Sequence, residues 1–259
     1  MYKIPSYEEC VDICNKYPPK TFYEKKKICQ GYNFSFFSYR LAEYRHFLES
    51  NAFEMKGLTF MHYNGVSKPY LMFNKFWELN QYPEFKYENF KNKPVKKIMV
   101  KEDGNLITFI KLPNNQIVSR LKEGFNSSFN RTANKIIAEN KKYYDFINWC
   151  IENEIVPLFE LVGENRIILK YDNNELILLN LRNNLTGEYI DNIPYNMDGI
   201  TTVKTEDYTF DEIIKLSETL ENKEGWVVQF QDDTFLKIKT KWYFEFSDYL
   251  LKKYGIRKS

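Results

Sequence analysis

Lys101 opens the run Lys101-Glu102-Asp103-Gly104-Asn105, a turn between apolar residues ending at Val100 and resuming over Leu106-Ile-Thr-Phe-Ile110. A lysine amine held in such a turn can be a nucleophile once it has lost its proton. Glycine lets the backbone bend tightly beside a ligand, and aspartate can orient or balance the amine. The same residues also make a plain hairpin turn with a solvated lysine, so the run gains meaning from the residues downstream of it. In Leu158-Phe-Glu-Leu-Val162, strand alternation puts Glu160 on one face with Leu158 and Val162. A carboxylate there is costly unless it is paired or functional, and a structural ion pair is the rival reading. Glu224 leads a second apolar strand, Glu224-Gly-Trp-Val-Val228. In Phe235-Leu-Lys-Ile-Lys-Thr240, Lys237 and Lys239 share one face while Leu236 and Ile238 share the other. Two ammonium groups side by side repel unless an anion sits between them, and phosphate is the natural candidate. Arg120 and Lys122, two apart after Ile117-Val118, make a similar pair, which a solvated edge strand explains equally well.

These residues need elements to hold them. Ser6-Tyr-Glu-Glu9 has a capping-box pattern and starts a short amphipathic helix through Tyr7, Cys10, Val11 and Cys14, ended by Pro18-Pro19. The aromatic stretch Tyr32-Asn-Phe-Ser-Phe-Phe-Ser-Tyr39 runs into a helix through Tyr44 and Leu48. From about 55 to 120, short strands alternate with Asn, Gly and Pro turns. One long helix is predicted between Thr132 and Asn153, its apolar stripe being Ala133, Ile136, Ile137, Tyr144, Ile147 and Ile151. Strands follow at Leu158–Val162, Arg166–Tyr171 and Leu176–Leu181. A second capping box, Thr209-Phe-Asp-Glu212, starts a helix ending near Leu220. Strands Gly225–Phe230 and Phe235–Thr240 precede a short helical tail. Irregular interleaving of strands and helices argues for an α+β chain built on antiparallel sheets. The whole of 1–259 reads as one domain: a helical and aromatic segment over 1–50, a core over 51–245 and a tail over 246–259.

At 259 residues the chain can bury an ample core, and 43% hydrophobic with 28% charged residues is ordinary for a globular protein. A net charge of +2 carries no argument for nucleic acid, which must come from where the charges fall. Aromatic content of 17% invites thoughts of base stacking, but aromatics mostly build cores. Cys10, Cys14, Cys29 and Cys150 show no CxxC pairing, and His46 and His62 are the only histidines. Two nearby buried, reduced thiols in Cys10 and Cys14, and no zinc site, are the expectation. No apolar run approaches membrane-spanning length and no signal peptide precedes the first helix, so the expected setting is cytoplasmic (the host cytoplasm if viral).

In order, the lysine turn, the acid on a strand, the Glu-Gly strand and the Lys-x-Lys strand resemble the covalent nucleotidyltransferase superfamily. Within it the chain resembles the T4 RNA ligase 1 family. The supporting stretches include Phe37-Ser-Tyr39, Lys75-Phe-Trp-Glu-Leu-Asn80, Lys101-Glu-Asp-Gly104, Phe159-Glu160 and Asn165-Arg-Ile-Ile168. Further on come Ile177-Leu-Leu-Asn180, Thr186-Gly-Glu-Tyr-Ile190, Glu224-Gly225 and Leu236-Lys-Ile-Lys-Thr-Lys-Trp-Tyr243.

The resemblance implies an α+β, antiparallel β-sheet nucleotidyltransferase fold (an ATP-grasp-like ligase adenylation domain) with flanking helices. It implies an ATP-dependent RNA ligase using ATP and Mg²⁺, with Mn²⁺ as an alternative. Lys101 would carry AMP, and Glu160 would hold the ribose hydroxyls. Tyr39 would lie along the nucleotide. Lys237 and Lys239 would contact the α-phosphate, with Lys239 helping pyrophosphate leave. Lys75 and Lys56 would face the β- and γ-phosphates. Glu224 would position the nucleotide or a hydrated metal. Arg120 and Lys122 would meet RNA or phosphate, through an alignment that needs a one-residue insertion. The implied partner is single-stranded RNA with 5′-phosphate and 3′-hydroxyl ends, met by a monomer away from membranes. Lys56 stands where the family usually has arginine, losing the bidentate fork, and Asn105 stands where it usually has serine. The helical C-terminal domain of the T4-type ligase lies outside the sequence. DNA ligases and capping enzymes, the alternative, usually carry arginine at the position of Leu106. A nucleotide-binding module without turnover is the other alternative.

Overall fold

The computed structural model describes residues 3–163 and 168–254. The chain begins with α1 (Tyr7–Lys16), β1 (Phe22–Cys29), β2 (Tyr32–Tyr39), α2 (Tyr44–Ser50), β3 (Leu58–Tyr63) and β4 (Val66–Tyr70). Next come β5 (Trp77–Glu78), β6 (Val95–Val100), β7 (Asn105–Lys111), β8 (Ile117–Arg120), α3 (Ser128–Glu139) and α4 (Lys141–Glu152). The remaining elements are β9 (Ile155–Val162), β10 (Glu175–Asn183), β11 (Tyr189–Ile190), α5 (Phe210–Thr219), β12 (Gly225–Phe230), β13 (Phe235–Lys239) and α6 (Lys241–Tyr254). The α+β class with antiparallel sheets is as expected.

By internal contact the chain forms two compact units. One holds the described parts of Met1–Lys75, Asn105–Leu161 and Glu175–Thr202; the other holds those of Phe76–Gly104, Val162–Asn174 and Val203–Ser259. The first unit contains a four-stranded sheet, β1-β2-β3-β4, and a five-stranded one, β11-β10-β9-β7-β8. Phe34, Phe36, Met61 and Tyr70 pack with Ile110, Val118 and Phe125, joining the two sheets through one apolar cluster. A second cluster seats α3 and α4 on the larger sheet through Ala133, Ile137, Phe146, Ile147, Cys150, Phe159 and Leu178. In the second unit, β5-β13-β12-β6 form a sheet in which only the short β5–β13 pairing is parallel.

Both predicted capping boxes form. Ser6 Oγ accepts from Glu9 N, and Thr209 Oγ1 accepts from Glu212 N. Other expectations need correction. The single helix over 132–153 is two helices, because Asn140 adopts an extended backbone (φ −123°, ψ 99°) and its side chain caps Lys142 N. The break resets the helical phase. Tyr143, Phe146, Ile147 and Cys150 become the buried stripe of α4, and Tyr144, placed inward by the continuous pattern, is exposed. The strand expected at Arg166–Tyr171 is absent over Ile168–Tyr171, which runs as bends and coil. Its first two residues, with most of the Asn165-Arg-Ile-Ile168 stretch, lie outside the described residues. Strand β1 was not predicted, since the polar run Glu24-Lys-Lys-Lys27 hides its period; pairing with β2 along its whole length makes it a strand. The helical tail is a 14-residue helix beginning at Lys241. Of the two nearby thiols, Cys10 is buried and Cys14 only half-buried. Burial raises both thiol pKa values, that of Cys14 to about 11.

Arg120 is wholly buried and not on a solvated strand edge. Its Nη1 donates to Gly57 O (2.8 Å) and Thr59 Oγ1 (3.0 Å), while Nη2 donates to Tyr70 O (3.0 Å) and to Leu71 O. Burial pushes its pKa down to about 9, against the effect of Tyr70. The guanidinium therefore ties β8 to β3, β4 and the Gly57 turn, and binding RNA or phosphate would mean breaking those bonds. Replacing it with methionine keeps the volume but strands several buried acceptors. Arg120→Met is expected to cost roughly 3 kcal/mol, seen as a thermal midpoint lower by roughly 6–12 °C. A midpoint unchanged within error would mean the carbonyls find other donors.

Candidate active site

In the second unit, backbone register brings the lysine turn beside both basic-strand lysines. Lys101 follows β6 directly and donates its N–H to Gly225 O (2.9 Å), while Gly225 is opposite Lys239 on β13. Lys101 and Lys239 are thus the neighbours of Gly225 on its two flanking strands. Only glycine fits between them: φ is +142°, and a Cβ would lie 1.9 Å from Ile238 O. Lys237 pairs with Val227 two residues along, and as the alternation predicts, Lys237 and Lys239 are half-buried while Leu236 and Ile238 are buried.

Glu224, just before β12, has a side chain only 2% exposed, and its Oε1 lies 2.9 Å from Lys101 Nζ. Thr240 fixes that segment, donating its N–H to Glu224 O (3.0 Å) and its hydroxyl to Lys223 O (2.6 Å). The lysine turn has a further anchor. Tyr171 Oη accepts from Asp103 N (2.8 Å) and donates to Glu102 Oε2 (2.9 Å). Lys239 Nζ is 2.5 Å from Oε1 of Glu78, on β5. Neither Tyr171 nor Glu78 is among the residues picked out by sequence. For Glu78 the local cue stopped at an acid in the aromatic run Phe76-Trp-Glu, with nothing to pair it with Lys239. Tyr171, read as the last residue of an expected strand, offered none.

The first unit gathers other predicted residues. Tyr39, the last residue of β2, has Lys75 Nζ 5.0 Å and Lys122 Nζ 4.8 Å from its ring centroid. Phe47 supports the ring edge-on at 4.8 Å. Burial first, and Lys25 to a lesser degree, lower the pKa of Lys122 against the opposing pull of Glu123. Lys56 is half-buried in a turn closed by Gly57 N–H to Phe37 O (2.9 Å). Gly57 has φ +89°, and a Cβ there would meet Met72 Sδ at 2.8 Å and Lys122 Cα at 3.1 Å, so this turn packs directly on Lys122. Glu160 is half-buried on β9 between buried Phe159 and Leu161 and pairs with Leu106 on β7. Both faces of β9 are apolar, so burial alone does not single out its face. Among the described residues no group of three or more His, Cys, Asp or Glu side chains is arranged to hold a metal ion, and no helix is long and apolar enough to cross a membrane.

Comparison with known proteins gives a consistent pattern. The profile of a family described as RNA ligase matches residues 54–247. A Thermovibrio ammonificans protein named "Putative RNA ligase" is 29% identical over 202 residues, covering 73% of this chain and 52% of the relative. The chain thus spans about half the length of that relative. An archaeal ATP-dependent RNA ligase structure superposes with a TM-score of 0.62 at 12% identity, covering 93% of this chain and 64% of that one. A Naegleria gruberi RNA ligase variant solved with ATP and Mn superposes with a TM-score of 0.51 at 16% identity, covering 72% and 60%. At those identities the structural likeness concerns the fold.

Proposed function

The chain belongs to the RNA ligase family, of the T4 RNA ligase 1 kind, and on that premise we propose that it is an ATP-dependent RNA ligase core working through lysyl-AMP. The observation that carries the reading is the placement of Lys101 beside Gly225, with Glu224 2.9 Å from its amine and Lys239 on the next strand.

An ammonium paired with a carboxylate cannot attack phosphorus, so the first event is loss of the Lys101 proton to solvent as its pair with Glu224 opens. The freed amine attacks the α-phosphorus of ATP. The N–P bond forms as the P–O bond to pyrophosphate breaks, leaving AMP on Lys101. Lys237 and Lys239 balance charge on the α-phosphate oxygens, and Lys239 helps pyrophosphate depart. Lys75 and Lys56 meet the β- and γ-phosphates, Tyr39 lies along the nucleoside, and Glu160 holds the ribose hydroxyls. AMP then passes to an RNA 5′-phosphate, and a 3′-hydroxyl displaces it to seal the strand. The buried Glu224 carboxylate fits a hard cation that takes one or two carboxylates and keeps most of its waters. Mg²⁺, with Mn²⁺ as the alternative, would be held there through water and would neutralise charge on the phosphate oxygens. Lys122 belongs with the phosphate-facing lysines; Arg120 supports them through the Gly57 turn. The reading takes both compact units as one adenylyltransferase acting as a cytoplasmic monomer on single-stranded RNA ends.

The test is incubation of 5′-phosphorylated single-stranded RNA with the protein, ATP and Mg²⁺. AMP-capped RNA followed by joined or circular product is expected. Protein that forms lysyl-AMP yet yields neither product would refute the RNA assignment. Glu160→Ala is expected to slow adenylation at least tenfold, about 1.4 kcal/mol of barrier; a rate near wild type would return Glu160 to a structural role.

A further inference from the structure

Two lysines alternating on β13 call for an anion, and the second unit supplies one of its own. Glu78 is half of the two-residue strand β5, which runs parallel to β13 with Glu78 opposite Lys237. Its carboxylate reaches Lys239 Nζ at 2.5 Å, with the two side chains 26% and 19% exposed. The strand is firmly placed. Leu79 N–H donates to Lys237 O (2.8 Å), Glu78 N–H donates to Gln81 Oε1 (3.1 Å), and Trp77 is buried and stacked on Phe85 at 5.0 Å. Lys237 sits over Phe76 at 4.8 Å and Lys239 over Phe244 at 5.3 Å, contacts that keep both stems from swinging away.

We propose that Glu78 is the resident counter-ion of the Lys237–Lys239 row, standing where a nucleotide phosphate oxygen must bind and so limiting how tightly the protein takes ATP. The inference rests on the nucleotide reading above. A carboxylate and a phosphate oxygen accept from the same N–H directions of an ammonium, so they compete for Lys239. Keeping the pair closed without nucleotide relieves the repulsion between the two lysines. When triphosphate arrives, the pair must open, and the displaced carboxylate adds repulsion of its own. The exchange holds Lys239 in position before ATP binds, at the expense of affinity.

The experiment measures binding of an ATP analogue with a non-cleavable α–β linkage, by calorimetry with Mg²⁺. Glu78→Gln is expected to tighten binding at least threefold, and pyrophosphate likewise. In a Lys239→Met background the same change should tighten binding clearly less, because the competition for that ammonium is gone and only the carboxylate's repulsion remains to be relieved. Unchanged or weaker binding in Glu78→Gln overturns the proposal, as does equal tightening without Lys239. Should Glu78→Gln not fold, a structure of the wild-type protein with the analogue decides. The Lys239–Glu78 separation should open beyond ~4 Å, and a closed pair overturns the proposal. A wild-type protein that binds no analogue at all would instead overturn the nucleotide reading.

Discussion

Lys101→Ala is expected to carry no AMP after incubation with ATP and Mg²⁺, and to join no RNA from ATP. The loss should be complete because the side chain is the AMP acceptor, and no other described residue presents an amine from the same turn. Lys101 N–H is fixed by Gly225 O, and Asp103 N–H two residues on is fixed by Tyr171. The amine is thus presented by a turn with anchors before and after it, a geometry that a neighbouring lysine cannot reproduce by rotamer change. The same variant separates the steps. Given RNA already carrying a 5′-AMP cap, it need not form lysyl-AMP, so sealing should persist while self-adenylation is gone. Retention of labelled AMP by Lys101→Ala would move the nucleophile elsewhere and undo the assignment.

Lys239→Ala is expected to slow lysyl-AMP formation by roughly 10²–10³-fold, the usual effect of removing a donor aimed at developing charge. Truncation removes a cation from the strand beside Gly225 and also leaves Glu78 without its partner, facing Lys237. Lys237→Ala should fall in the same range. Lys122→Ala should be milder, because that ammonium rests on Tyr39 and near Glu123 in the first unit. Single-turnover adenylation at saturating ATP reads all three. The opposite order, with Lys122→Ala the most damaging, would mean that the α-phosphate is held by other residues.

Much of this site was legible because strand periodicity carries it. The alternation in Phe235-Leu-Lys-Ile-Lys239 states which side chains share a face, and the capping boxes at Ser6 and Thr209 place two helices. The rest was hidden for physical reasons. Asn140 turns one apolar pattern into two helices with a single residue that caps as readily as it continues. Arg120 has the charge of a surface residue, and only the convergence of Gly57, Thr59, Tyr70 and Leu71 around it makes it a core residue. Glu78 becomes the partner of Lys239 through a two-residue parallel strand, a pairing between distant segments that no local pattern encodes. Tyr171 grips the lysine turn from far downstream of Lys101, in a stretch that forms no regular element.

The central claim is covalent attachment of AMP to Lys101. The direct measurement strips any pre-existing adduct with pyrophosphate, adds ATP and Mg²⁺, and reads the intact mass followed by peptide mapping. The account predicts one added AMP, on Lys101. A protein that stays unmodified, or carries AMP on another residue, would contradict it.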